Sequence, residues 1–130
     1  MTTHMIIVKE GDTVAHALKL LVDSRERDVS DGVVVVDSKG KLVDHIQTIE
    51  LVAAKPSDEV SSIVGPPYPT AVKVDTPLED VVEEFINNRG SSIIVMDEKS
   101  KPVGRILADD LVDSLTSDEP RGFAQGGSGL

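Results

Sequence analysis

The second half of this chain repeats its first. Moving Val33–Val52 forward by sixty residues lays it on Ile93–Val112. Eight of the twenty aligned positions are identical: Val35/Val95, Asp37/Asp97, Lys39/Lys99, Lys41/Lys101, Val43/Val103, Ile46/Ile106, Leu51/Leu111 and Val52/Val112. Val33/Ile93, Val36/Met96 and Glu50/Asp110 are close substitutions. A duplicated unit restricts the fold to two copies of one small motif related by pseudo-symmetry, with a cleft between them of the kind that takes small ligands. The 130 residues suffice for one compact domain, or for two very small halves that share a core.

Each copy reads as β-α-β-β-α. Ile6–Val8 predicts a strand, and Asp12 or Thr13 caps the helix that follows. Its apolar residues Val14, Ala17, Leu18 and Leu21 recur at helical spacing on one face. Ser24–Gly32 is a polar loop. The four β-branched residues Val33–Val36 suit a strand covered on both faces. Asp37–Gly40 is a hairpin turn in which Gly40 can take positive φ. Leu42–Ile46 returns, Thr48 caps a short helix through Ala54, and Pro56 ends it. Ser57–Val64 holds one more helical turn. In the second copy Ala71–Val74 is the opening strand, and Thr76-Pro77-Leu78-Glu79 starts a helix with Thr76 as its cap. Leu78, Val81, Val82 and Phe85 repeat the first apolar stripe at an offset of sixty-four, so the first copy carries four extra residues within Ser24–Gly32. Gly90 ends that helix. Ile93–Met96, the turn Asp97–Ser100, Pro102–Ile106 and a helix over Ala108–Leu115 complete the unit. The expected organisation is a first repeat over 1–64, a stiff hinge over 65–70 (GPPYP within it), a second repeat over 71–115 and a disordered Gly-rich tail over 116–130. The fold class is α/β, more strictly α+β, because one copy cannot bury both faces of its sheet and two packed copies can.

Composition removes whole classes of function. The chain has no cysteine, which excludes disulfides, thiol nucleophiles and Cys-based zinc sites and is compatible with the cytoplasm. Only 2% of residues are aromatic, so Val, Ile and Leu must build the core. The formal charge of −10 repels phosphate backbones and anionic lipid, which argues against nucleic-acid and membrane-surface partners. No basic-then-apolar leader is seen at the N-terminus, and no apolar run is long enough to span a bilayer. Nothing assembles a nucleophile, a base or a phosphate loop, so an enzyme is not expected.

The second copy, SIIVMDEKSKPVGRILADDL, resembles a CBS domain, whose usual pattern is a strand ending in Asp, a turn, a strand carrying Gly-hydrophobic-hydrophobic-Thr/Ser-x-x-Asp, and a closing helix. Two such units in tandem resemble a CBS pair, or Bateman module, over about residues 5–115. The stretches IELVAAKPSDEVSSIV and GRILADDLVDSL look most like the cytosolic CBS region of MgtE-type magnesium transporters. The resemblance implies a regulatory module, usually a homodimer, that senses AMP, ADP, ATP or ions and signals to an attached effector domain or transporter.

That pattern also implies a site. Its hydroxyl and helix N-terminus face phosphate, and its Asp accepts from ribose hydroxyls. Gly104 and Asp110 match, while Leu107 stands where the hydroxyl is expected. In the first copy Asp44, Gln47 and Glu50 replace Gly, Thr and Asp, and a carboxylate at Asp44 disfavours phosphate. The site containing Asp110 is therefore preferred over that containing Glu50, with Thr70, Ala71 and Val72 as the adenine-side backbone and Arg105 as the phosphate partner. Read blandly, Asp110 and Glu50 are first-turn helix acids stabilised by the dipole, and Arg105 is a solvated strand-edge or interface residue.

A divalent-cation reading rests on acidic clusters: Glu79, Asp80, Glu83 and Glu84 on one helix, Asp109, Asp110 and Asp113 on another. Mg²⁺ keeps much of its water and can bind such surfaces weakly, with Asp109 and Asp113 the candidate ligands. The bland reading is a solvated helix face. His4, His16 and His45 share no metal-binding spacing. Three classes therefore stay open: a ligand-sensing regulatory module, an interaction or dimerisation module whose nucleotide sites have decayed, and an enzyme, the last not expected because nothing assembles a nucleophile, base or metal centre.

Overall fold

The computed structural model describes residues 3–24, 32–88 and 92–116, with only the backbone described at 88 and 113–116. The tail over 117–130, the loop residues 25–31 and the helix end at Gly90 lie outside the described residues. The chain divides into two compact units, one spanning His4–Tyr68 and the other beginning at Pro69.

In the first unit β1 (Ile7–Lys9) leads into α1 (Val14–Asp23), which crosses to β2 (Gly32–Val36). A tight turn then brings back β3 (Leu42–Gln47), and α2 (Thr48–Ala53) follows directly. A 3₁₀ turn over Val60–Ile63 closes the unit, matching the extra helical turn expected within Ser57–Val64. In the second unit β4 (Ala71–Lys73), α3 (Leu78–Asn88), β5 (Ser92–Met96), β6 (Pro102–Leu107) and α4 (Ala108–Thr116) recur in the same order. Each unit is a mixed three-stranded sheet, ordered β1-β2-β3 and β4-β5-β6. The outer β1 and β4 run parallel to the middle strand and the hairpin partner runs antiparallel. The α+β architecture of two equivalent β-α-β-β-α repeats is therefore the observed one.

The registers coincide as well. Ile7, Val34 and His45 form one cross-sheet row, and Ala71, Ile94 and Arg105 form its counterpart. Both hairpins shift register near their tips, between Val35 and Val36 and between Val95 and Met96. All five residues of β2 are buried, so both faces of that strand are covered, as its unbroken valine run implies.

Two separate apolar clusters hold the repeats. One gathers Val8, Val14, Ala17, Leu21, Val33, Val35, Ile46, Leu51 and Val60. The other gathers Val72, Val81, Ile93, Val95, Ile106 and Leu111. The alternate residues of each middle strand supply these clusters, which is the period-two rule acting on a half-sheet.

The hairpin tips are closed by one repeated device. The Oδ1 of Asp37 accepts the N–H groups of Lys39 (2.8 Å) and Lys41 (3.0 Å). The Oδ1 of Asp97 does the same for Lys99 (2.8 Å) and Lys101 (3.0 Å). These charge-assisted bonds hold both carboxyls below the ordinary aspartate value of 3.8.

Capping departs from expectation at two places. Thr13 does cap α1, its hydroxyl accepting the His16 N–H at 3.1 Å. The carbonyls of Asp58 and Pro56 also accept the first N–H groups of α1, from Val14 (2.8 Å) and Ala15 (3.0 Å). Thr76 does not play Thr13's part. Its hydroxyl accepts the Lys73 N–H at 3.1 Å, and the carbonyl of Pro77 receives the N–H groups of Asp80 and Val81. The stretch before a helix can satisfy its donors with backbone as well as with a side chain, so a Thr in the right place is not obliged to cap. Thr48 is likewise the first residue of α2, with Gln47 in the cap position.

Candidate functional site

The β6–α4 junction carries the residues that the sequence singles out. Gly104 lies opposite Val95 and is followed by Arg105, Ile106 and Leu107, after which α4 begins without a loop. Asp110 sits in the first turn of α4, partly buried, and its Oδ2 accepts the Leu107 N–H at 2.9 Å. An ionised carboxylate offers about four acceptor sites, more than this one local bond uses. Glu50 repeats the arrangement at the β3–α2 junction, its Oε1 accepting the Gln47 N–H at 3.1 Å. It is exposed. The bland reading of both acids as helix-start residues is thus a physical fact of the fold, and any ligand role is an addition to it.

The sheet brings two of the other candidates into line. Ala71 and Arg105 flank Ile94 in one cross-strand row, so their side chains share a face, the one opposite the apolar cluster fed by Ile93, Val95 and Ile106. Adjacent strands are about 4.8 Å apart, which sets Ala71 and Arg105 about 10 Å from each other. The Thr70 carbonyl accepts the Ile94 N–H (3.0 Å) and the Val74 N–H reaches the Met96 carbonyl (3.0 Å). Alternation then directs the backbone polar groups of Ala71 and Lys73 away from β5. The Lys73 N–H takes Thr76 as its partner on that side. Of Thr70, Ala71 and Val72, only Ala71 turns its backbone polar groups away from β5. The Val72 side chain belongs to the core.

Arg105 requires a correction. It is 5% exposed, so it is not a solvated strand-edge residue. Its row neighbour Ile94 is equally buried, at 2%. A long cationic side chain on a strand reads as exposed from sequence, because burial on the second face of a sheet leaves no periodic signal.

The first repeat departs further. Asp44 occupies the position of Gly104 and is 3% exposed. Its Oδ1 accepts the N–H of His45 at 2.7 Å and its Oδ2 accepts that of Gly65 at 3.2 Å. Burial pushes its carboxyl above the ordinary 3.8, with nearby Glu50 adding to the rise, while the two N–H bonds and His45 oppose it. A buried acid here opposes an anionic ligand.

The described residues do not fit a defined divalent-cation site: among them no three His, Asp or Glu side chains are grouped to hold a metal ion. Asp109 is exposed on α4, and the side chain of Asp113 lies outside the described residues. The sequence reading missed an open cleft of about 630 Å³ lined by Lys73, Val74, Asp75, Asp97, Glu98, Lys99 and Lys101. The Lys73 Nζ donates there to the Asp97 carbonyl and to Ser100 Oγ, both at 3.3 Å. It lies beyond the C-terminal end of β5, the opposite end of the sheet from Asp110. The identity of Lys39/Lys99 and Lys41/Lys101 was its sequence signal.

Comparison with known proteins decides the family. The CBS domain model matches residues 1–46 and 60–117, most of the chain. The chain belongs to the CBS-domain family. As a CBS pair it is 29% identical over 119 residues to the magnesium transporter MgtE of Thermus thermophilus, covering 91% of this chain and 26% of the transporter. Among solved structures it resembles the cytosolic domain of the Mg²⁺ channel MgtE in complex with ATP, with a TM-score of 0.78 and 30% identity over 87% of this chain and 46% of that one. It also shares its fold with the CBS pair of a putative Mg²⁺ transporter from Shewanella oneidensis, at a TM-score of 0.72 and 21% identity over 85% of this chain and 63% of that one. The CBS pair thus spans about a quarter of the MgtE transporter. Among the described residues no helix is long and apolar enough to cross a membrane.

Proposed function

We propose that this CBS pair is a ligand-sensing regulatory module that takes an adenine nucleotide (AMP, ADP or ATP) at the β6–α4 junction of its second repeat. Its occupancy is passed to an attached or partner protein on the cytoplasmic side, a divalent-cation (Mg²⁺) transporter. The observation that carries this reading is the 30% identity with an MgtE cytosolic domain described in complex with ATP. Three features of the second repeat support it. Asp110 stands partly buried at a helix start, suited to accept from a ribose diol. Ala71 offers edge backbone, and Arg105 supplies a cation on the same face. Leu107 gives no hydroxyl, so phosphate is held by backbone and charge alone. In the first repeat the buried carboxylate of Asp44 works against a second nucleotide.

A homodimer completes the proposal. Val52 and Val112 are exposed at matching positions on α2 and α4, as are Val22 and Ile86 on α1 and α3. Repetition of an exposed apolar residue in both copies favours a shared use for it. Sedimentation velocity of wild type against the Val52→Glu, Val112→Glu double variant tests it; a monomeric wild type sinks the dimer.

Thermal melting with AMP, ATP, S-adenosylmethionine and MgCl₂ tests the sensor. A ligand at about a hundred times its Kd adds roughly 2.7 kcal/mol to the folded state. Mg²⁺ acting as a ligand should raise Tm more than NaCl of equal ionic strength. A Tm unmoved by every compound would end the sensor reading. What remained would be an interaction or dimerisation module whose sites have decayed, the reading that the altered first repeat favours.

A further inference from the structure

The connector after the first repeat is held by a side chain from the sheet before it. Asp44, in the middle of β3, reaches across twenty-one positions of sequence to accept the N–H of Gly65, the residue that opens the Gly65–Pro69 stretch. Beyond Gly65 the next N–H belongs to Tyr68, because Pro66 and Pro67 have none. Gly65 is thus the last amide through which the start of this stretch can be tied down by backbone donation. The carboxylate is almost wholly buried and is bracketed by a second N–H, that of His45. The second repeat has Gly104 at the matching station, so the device exists once in the chain.

We infer that Asp44 is a proton-sensitive clasp: its carboxylate fixes the first residue of the inter-repeat connector to the first sheet, and protonation or removal of that carboxylate releases it. A carboxylate accepts two N–H bonds symmetrically, whereas the protonated acid turns one oxygen into a donor that faces an N–H. The bond to Gly65 is the longer of the two, 3.2 Å against 2.7 Å, and is the one that yields. Two charged or titratable groups face Asp44 from the elements around it: Glu50 on α2, which favours protonation, and His45 beside it on β3, which opposes it when charged. Burial and Glu50 together outweigh the two N–H bonds and His45, so the carboxyl takes its proton at a higher pH than an ordinary aspartate. Adding a methyl at Gly65 meets no atom within 4 Å, so Gly65→Ala keeps both the donor and the space around it.

The test follows the Gly65 amide by NMR in the intact chain from neutral pH downward, together with the Asp44 carboxyl carbon and the His45 ring. The clasp requires the Gly65 amide proton to move with the midpoint of the Asp44 carboxyl, above 3.8, and not with that of His45. Hydrogen exchange at Gly65 should quicken by about tenfold or more in Asp44→Ala, while the Val34 amide in β2 and the Gly65→Ala variant stay protected. A Gly65 amide that ignores the Asp44 titration overturns the inference, as does equal protection in Asp44→Ala. If Asp44→Ala does not fold, the wild-type titration alone decides.

Discussion

Ser100 holds a φ of 65° at the station where Gly40, its counterpart in the first repeat, holds 81°. Two hairpins of the same shape therefore meet the demand for left-handed backbone with different residues. Ser100 is helped by the Lys73 ammonium on its hydroxyl. Gly40→Ala should lower stability by about 1 kcal/mol, the usual penalty for a Cβ in this region. Ser100→Gly should change it by less than about 0.5 kcal/mol, since relief of strain is offset by a looser unfolded chain and the lost lysine bond. Urea midpoints of the two variants check this; a neutral Gly40→Ala would contradict it.

Gly32 begins β2 with the Ile46 carbonyl oxygen pressed against the place where a Cβ would stand. Backbone cannot retreat as a side-chain tip can. Gly32→Ala should cost about 1–3 kcal/mol, in the range of overpacked sites. Ser92, at the matching position, already carries a side chain, so Ser92→Ala should stay within about 0.5 kcal/mol. Equal effects at the two sites, read from chemical denaturation, would show that the tight approach is not real.

Asp110 has two separable duties on this reading, a bond to the Leu107 N–H and acceptance from a ribose. Asp110→Asn keeps an acceptor for the helix and loses the charge. It should leave Tm within a few degrees yet remove the Tm rise caused by AMP or ATP. Asp110→Ala should in addition cost about 1 kcal/mol of stability, as lost helix-start acceptors do. Glu50→Gln should leave any nucleotide response intact. Calorimetric titration checks all three; nucleotide affinity retained in Asp110→Asn would remove this residue from the site.

The pH dependence of folding should carry the mark of Asp44. Its folded carboxyl lies above the unfolded value near 3.8, so the folded state binds this proton more readily. The stability it contributes is fully present below 3.8 and is lost as pH rises through the raised folded value. Asp37 and Asp97 act in the opposite sense, contributing above 3.8 and losing that contribution as pH falls below it. Relative to wild type, Asp44→Asn should therefore gain stability between pH 3.5 and pH 7, by an amount of about 1 kcal/mol for each unit that the carboxyl is displaced. Urea unfolding across that range checks it; a constant difference would refute the direction.

Much of this was readable in the chain because the repeat was read twice. The order of elements, the valine strand, the hairpin turns and the helical stripes all follow from residues that recur at a fixed offset, and recurrence corrects local ambiguity. The failures share one physical cause. Thr76 and Thr48 look like caps because cap preference is local, yet the Thr76 hydroxyl accepts from Lys73 behind it, and Gln47, not Thr48, holds the cap position of α2. Arg105 looks exposed because charge predicts exposure, and only tertiary packing reveals that its face of the sheet, opposite the apolar cluster, is covered; Asp44 sits on the core face itself, opposite Val35. The Asp44–Gly65 bond joins positions too far apart for any spacing rule to announce.

Every residue of one apolar cluster falls between Ile6 and Val64, and every residue of the other between Val72 and Leu111. Each twin keeps its own interior. The loss of the signature's Gly and Thr from the first, where Asp44 and Gln47 stand, therefore asks nothing of the packing inside the second.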